Sequence, residues 1–285
     1  MLDFIRIEVF ANGDNAPSHE FLGSALRGAF GAALKRTSCV NPKYRCGEPD
    51  DDRQLDSTCQ AADNCLYDEF FIRKNDYHPY RFSKPIGEKN YNFAFYLFGG
   101  VCKKLPYILN ALYEMVCSYG LGRDRQKLEI EKIVCNDRVV YENGAFNLEG
   151  VKTKRFEAPD LANRITLRFV TPLRMKSDNK FLTSKPQLRQ ILFSILDRLN
   201  HFNGMPTTKL PFEPQYKEGK SNVTFKDLTR FSSRQNTKMR LGGITGYVEY
   251  DEIDPKSYTI LKLGEIAGVG KQTVFGLGEI KIEDN

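Results

Sequence analysis

No apolar run in this 285-residue chain is long enough to cross a bilayer, which excludes a spanning helix. The first ten residues alternate in the manner of a strand and lack the basic-then-apolar order of a secretory leader, so a cytoplasmic, soluble protein with no membrane partner is expected. Histidine is scarce: any imidazole chemistry must use His19, His78 or His201. Low-complexity sequence is absent, so both halves of the chain are expected to be ordered. Paired C-x₂-C knuckles are missing as well, and the seven cysteines are an odd number, which argues against a disulfide framework.

Four of those cysteines nevertheless cluster. Cys39, Cys46, Cys59 and Cys65 are separated by six, twelve and five residues within a stretch rich in Pro, Gly and Asp. Four thiols so placed could close a tetrahedral structural zinc site or remain free in a long insertion, and the spacing leaves both open. Cys102, Cys117 and Cys135 fall in or beside expected helices and strands and read as small core residues. Asp50, Asp51 and Asp52 read as a solvated acidic turn, since adjacent carboxylates point in different directions.

The length suits two domains, and an apolar content of 41% is enough for a core in each. Period-two alternation at Ile5, Ile7 and Val9 predicts a strand, and the apolar positions from Phe21 to Leu34 predict a helix starting at Pro17-Ser18. Strands are then expected over 80–82 and 91–98, a helix over 103–117, a strand over 128–134 and a hairpin over 138–146 turned at Asn143-Gly144. The second half repeats the order: strand 164–170, helix 187–200, strands 222–231 and 243–250, helix 255–266, and a closing strand over 274–282. The expectation is an α+β protein of two tandem ferredoxin-like (βαββαβ) domains. Residues 1–155 form the first, with a cysteine-rich insertion at about 39–65, and residues 161–285 the second; the polar, Pro159-broken segment 154–160 reads as the linker.

A formal net charge of +6 permits an anionic partner. The distribution says more. Arg174 and Lys176, then Arg230, Arg234, Lys238 and Arg240, place six cations among Ser, Thr, Gln and Asn in two short segments, a composition suited to phosphate contacts. Near the C-terminus, Gly268, Gly270, Gly276 and Gly278 surround Lys271, Gln272 and Thr273. Glycines leave backbone amides accessible to a phosphate chain, and Lys271 adds charge. A P-loop or dinucleotide fingerprint places such glycines between a strand and a helix; here they follow a helix and precede a strand, which excludes both.

With these residues assembled, the chain resembles the CRISPR-associated repeat-processing endoribonucleases, the sixth Cas family within the RAMP superfamily, in the subgroup with a cysteine-containing N-terminal half. The matching segments are 22–31, Cys65-Leu66-Tyr67 through Phe70, Leu97-Phe98-Gly99, Tyr119-Gly120-Leu121-Gly122, Thr171-Pro172-Leu173-Arg174, 230–246, and Val269-Gly270-Lys271 with Phe275-Gly276-Leu277-Gly278. The resemblance implies an enzyme that binds the repeats of a CRISPR transcript and cuts it into guide RNAs without a catalytic metal or other cofactor. The 2′-hydroxyl beside the scissile phosphate attacks in line and leaves a 2′,3′-cyclic phosphate. CRISPR effector subunits are the further partners it implies, and a non-cleaving RAMP subunit that only holds guide RNA is the alternative role.

By the same resemblance, the backbone of the RNA falls to Arg27, Arg174, Lys176, Arg230, Arg234, Lys238, Arg240, Gly268, Gly270, Lys271, Gln272, Thr273, Gly276 and Gly278. The leading candidate for the general base is His19, where the first helix begins; the alternative is the family's histidine-free route, in which Lys35 and Tyr44, close to the end of that helix, hold the RNA in an in-line geometry. The chain departs from the family's commonest pattern in having no histidine just after that helix, where the cysteine loop stands. His201, ending a helix, is expected to complement the helix dipole without chemistry.

Overall fold

The computed structural model describes residues 2–17, 20–40, 65–72, 77–122, 124–177, 179–207, 209–232 and 237–284, with the backbone alone at 230–232 and 237–239. The first half contains β1 (Asp3–Asn12), α1 (Gly23–Ser38), β2 (Tyr80–Ser83), β3 (Phe93–Phe98), α2 (Leu105–Tyr113), β4 (Glu129–Cys135), the hairpin strands β5 (Arg138–Glu142) and β6 (Ala145–Phe146), and β7 (Lys154–Arg155). The second contains β8 (Arg164–Leu173), a hairpin of β9 (Lys176–Ser177) and β10 (Lys180–Phe181), α3 (Leu188–Phe202), and β11 (Lys217–Lys226). It continues through a hairpin of β12 (Thr229–Ser232) and β13 (Thr237–Arg240), then β14 (Gly243–Asp251), α4 (Pro255–Ala267) and β15 (Ile280–Asp284).

The central sheet orders are β2-β3-β1-β4 and β11-β14-β8-β15, so counting strands within each half both read 2-3-1-4. Two tandem ferredoxin-like units are therefore present, as the doubled β-α-β-β-α-β pattern predicts. Among the described residues no helix is long and apolar enough to cross a membrane.

Several boundaries differ for identifiable reasons. Helix α1 begins at Gly23, later than Pro17, because its first turn lies against the C-terminal loop: a side chain at Gly23 would run into the carbonyl oxygen of Phe275. The helix expected over 103–117 is α2 flanked by a 3-10 turn at Gly99–Lys104 and a wide π turn at Glu114–Tyr119. The strand expected over 222–231 ends at Lys226, and the chain then forms the separate β12–β13 hairpin. The closing strand starts at Ile280 because Thr273–Phe275 form a 3-10 turn and Gly276 and Gly278 take positive φ. The expected linker opens with β7, which pairs with Asp3 and Phe4.

Alternation sets the layering. Ile5, Ile7, Val9, Phe82, Phe95 and Leu97 face α1 and α2 in one core. The opposite face of the same sheet supplies Phe98, which stacks on Phe202 of α3 at 4.9 Å, and Arg81, which reaches α4. Helices α3 and α4 in turn cover the inner face of the second sheet through Ile165, Leu167, Val248 and Ile282. The molecule is thus stacked helices, sheet, helices, sheet. Each half also lends residues to the other: Leu2 and Phe98 join the second core, while Val274 and Phe275 join the first.

Arg81 holds the halves together. Its side chain is 1% exposed; Nε donates to the carbonyl of Ile266 at 2.6 Å and Nη2 to that of Glu265 at 2.7 Å. These carbonyls lie in the last turn of α4, where unpaired oxygens carry the negative end of the helix dipole. The guanidinium also lies 4.2 Å from the Tyr96 ring centroid, and Glu279, held by the Ser83 hydroxyl at 2.8 Å, stands 3.9 Å away. Substituting Arg81→Met removes two charge-assisted bonds and leaves buried acceptors unpaired, so urea unfolding should show a loss of about 3 kcal/mol.

Candidate nucleic-acid interface

The glycine-rich loop is built differently from an open phosphate cradle. The amide of Gly268 donates to Gly264 O, that of Gly270 to Ser194 Oγ, that of Lys271 to Arg174 O, that of Gly276 to Thr273 O and that of Gly278 to Pro172 O. Gly268, Gly270, Thr273, Gly276 and Gly278 are all buried. Arg198 of α3 clamps the loop from within, its Nη1 donating to Thr273 Oγ1 at 2.9 Å and its Nη2 to Gly270 O at 2.5 Å. Burial pushes the Arg198 pKa down to about 10, which leaves it charged at neutral pH. At Gly270 the backbone takes φ +77° with Arg174 O pressed against it, leaving no room for a side chain. These glycines therefore serve close packing, and their amides are not the phosphate donors expected of them. What the loop offers to solvent is Lys271, exposed, with half-buried Gln272 beside it.

The remaining expected residues divide. Arg27 is half-buried, with its guanidinium 4.9 Å from the ring centroids of both Phe71 and Phe275, so it joins α1 to the loop. Lys35 lies two helical turns further along α1, over Tyr67 at 5.7 Å. Arg174 is spent internally: it stacks on Phe181 at 3.7 Å and donates to Gly242 O at 2.8 Å, and burial lowers its pKa. Lys176 and Arg240 are exposed. Cys39 directly follows α1 and Cys65 precedes the turn at Asp68–Ile72, but among the described residues no three metal-ligating side chains gather. His19, Tyr44, Cys46, Cys59 and Arg234 lie outside the described residues, as do the side chains of Arg230 and Lys238.

Beside Lys271 opens a cavity of about 420 Å³. Lys176, Arg189, Lys209 and Lys271 contribute four cations to its lining, and Tyr77, Phe193 and Asp197 line it as well. Elsewhere several surface cations sit in ion pairs, as in Lys154–Asp137, Arg155–Asp3, Arg164–Asp251, Arg168–Glu283 and Lys217–Glu252. Arg189 likewise pairs with Glu213. Lys176, Lys209 and Lys271 have no carboxylate partner among the described residues, so their charge remains available to a polyanion.

Tyr77 organises the cavity wall. Its hydroxyl donates to Asp197 Oδ2 at 2.7 Å, and burial, with that bond, pushes its pKa up to about 12. The Arg198 and Lys271 side chains lie 4.6 and 5.8 Å from its ring centroid. Its amide donates to His201 Nε2 at 3.3 Å, so His201 supports this wall in addition to ending α3. Sequence reasoning missed Tyr77, Arg189, Asp197, Arg198 and Lys209. A signal existed for α3, where Arg189, Phe193 and Asp197 recur every four residues, as do Gln190 and Ser194, a mixed stripe that a purely core-facing helix would not carry. Nothing local marks Lys209.

Comparison with known proteins agrees with this organisation. A family model for the CRISPR-associated endoribonuclease Cas6 matches residues 167–280, and a second, described as an N-terminal domain, matches residues 4–153. An uncharacterized protein of Archaeoglobus fulgidus is 26% identical over 284 residues, spanning 92% of this chain and 91% of its own. Among solved structures, a Cas6 product complex superposes with a TM-score of 0.58 at 18% identity over 99% of each chain. Thermus thermophilus Cas6 gives 0.55 at 15% identity, covering 99% of this chain and 98% of its own. A Cas6-related protein of Pyrococcus furiosus gives 0.51 at 13% identity over 100% of both. At such identities the structural likeness establishes the fold.

Reversing the charge of Lys176 and Lys271 together should weaken retention of single-stranded RNA while leaving the melting temperature unchanged, because both side chains are exposed. For every phosphate that the protein no longer neutralises, the slope of log K against log salt should flatten by about 0.7.

Proposed function

We propose that the chain is a CRISPR-associated endoribonuclease of the Cas6 family, whose model matches residues 167–280, and that it binds CRISPR repeat RNA and cuts the precursor transcript into guide RNAs for an effector complex. The observation that carries this reading is the group of unpaired cations around Lys271, set within the segment that the Cas6 model matches.

The reaction we propose is attack by a ribose 2′-hydroxyl on its own phosphodiester, leaving a 2′,3′-cyclic phosphate and a 5′-hydroxyl, with no catalytic metal. Such chemistry asks three things of the protein: an in-line geometry, an acceptor for the hydroxyl proton, and positive charge near the phosphorane. Lys271, Lys176 and the exposed Arg240 supply charge along the RNA path. His19 is the proposed proton acceptor, and Lys35 and Tyr44 are the residues proposed to hold the RNA in line should no histidine take part. Arg27, lying between Phe71 and Phe275, ties α1, which carries Lys35, to the terminal loop, which carries Lys271. The four clustered cysteines are proposed to hold one structural zinc, apart from the chemistry.

Incubation of the purified protein with repeat RNA in excess chelator should yield one cut per repeat and a cyclic-phosphate end. A shifted but intact RNA would instead identify a guide-RNA-holding subunit, and absence of any shift would overturn both roles. His19→Ala should slow single-turnover cleavage at least about 100-fold; an unchanged rate removes His19 from the mechanism. Metal analysis of the protein before chelation should find about one zinc per chain, and none if the thiols are free.

A further inference from the structure

We propose that the cavity beside Lys271 receives one unstacked nucleotide of the bound RNA, and that Asp197 accepts a hydrogen bond from an N–H on the edge of that base. This rests on the RNA-processing role above and adds a specificity determinant to it.

A volume of about 420 Å³ stands at the small end of ligand sites, room for a nucleotide and far too little for a duplex. The walls are of two kinds. Met175 and Leu210 form a buried apolar floor, and the half-exposed rings of Tyr77 and Phe193 offer π faces. An unstacked base seeks such rings, because stacking on an aromatic side chain replaces the neighbours it has lost. Tyr77 is also held on three sides, by Asp197 at its hydroxyl, Arg198 against its ring and His201 at its amide, so the platform is formed before any RNA arrives.

The polar groups on α3 have fixed directions and spare capacity. Asp197 Oδ2 accepts the Tyr77 hydroxyl, which orients the carboxylate and leaves Oδ1 as an acceptor with no donor among the described residues. Ser194 Oγ accepts the amide of Gly270, so its own proton remains to be donated. Gln190 Oε1 accepts the amide of Gln187, so its amide NH₂ remains as well. The cavity therefore presents one strong acceptor beside two donors. Every base offers an N–H to such an acceptor, N6–H₂ of adenine, N4–H₂ of cytosine, N1–H and N2–H₂ of guanine or N3–H of uracil, so the carboxylate fixes the edge of the base and the flanking donors set the preference among them. With a base inside, its phosphates lie at the rim, where Lys176, Lys209 and Lys271 stand unpaired.

The test is an abasic scan of the repeat RNA at fixed salt, measuring affinity for the wild type, Phe193→Ala and Asp197→Asn. One position is expected at which losing the base costs the wild type about ten-fold, and this cost should vanish in Phe193→Ala. The preference among the four bases at that position should change in Asp197→Asn, whose amide can donate or accept. If Phe193→Ala fails to fold, the near-isosteric Asp197→Asn carries the test alone. A position-specific cost that is identical in the variants overturns the pocket, as does RNA that is bound and cut with no such position, and in both cases the endonuclease role survives. Competition by free AMP that Asp197→Asn does not weaken also overturns it. Failure of the wild type to bind any repeat RNA removes both proposals together.

Discussion

The buried guanidinium of Arg81 is the constraint on which the rest of the molecule depends. It leaves a strand in the first sheet and ends on the carbonyls of the last helix, so its charge is neutralised mainly by main-chain dipoles. A buried cation without such partners would be prohibitively costly. Because those dipoles belong to α4, a fold that seats Arg81 must also dock the second half on the first sheet at one angle. Arg198 repeats the device on a smaller scale with Thr273 and Gly270. Two interior cations thus fix the backbone from which a third, Lys271, reaches solvent.

This division of labour explains why a modest net charge can be effective. Several basic side chains on the described surface have a carboxylate neighbour, and exposed pairs of that kind add little stability but cancel each other's field. Lys176, Lys209 and Lys271 have no such neighbour among the described residues. Their charge gathers at one cavity beside walls of low polarity that strengthen it, and an arriving polyanion is drawn there before any specific contact forms.

Much of the architecture was legible in the chain. Period-two and helical patterns located the four core strands and two helices of each ferredoxin-like unit, and the glycine-rich stretch drew attention to the terminal loop. Its mechanism was misread, because glycine signals close approach of backbone without saying whether the neighbour is a phosphate or the protein itself; here it is Arg174 against Gly270 and Val269 against Gly278. Arg174 was misjudged for a related reason, since a cation beside polar residues looks exposed until Phe181 and Gly242 are brought to it by tertiary structure. Arg81 stood between two buried aromatics, where strand alternation sends it to the opposite face, but the covering of that face by α4 is a long-range fact. Lys209 reaches the cavity only through the path of the loop after α3. Local patterns report periodicity well; they do not report what packs across it.

The exchange of residues between the two cores bears on how the chain acquires its structure during synthesis. When the first 155 residues have emerged from the ribosome, their sheet and helices still lack Val274 and Phe275, and the gap beside α1 stays open until almost the whole polypeptide has been made. The amino-terminal unit is therefore a template completed by the carboxy-terminal one, and neither half, though built on the same plan, closes its own interior without a loan from the other.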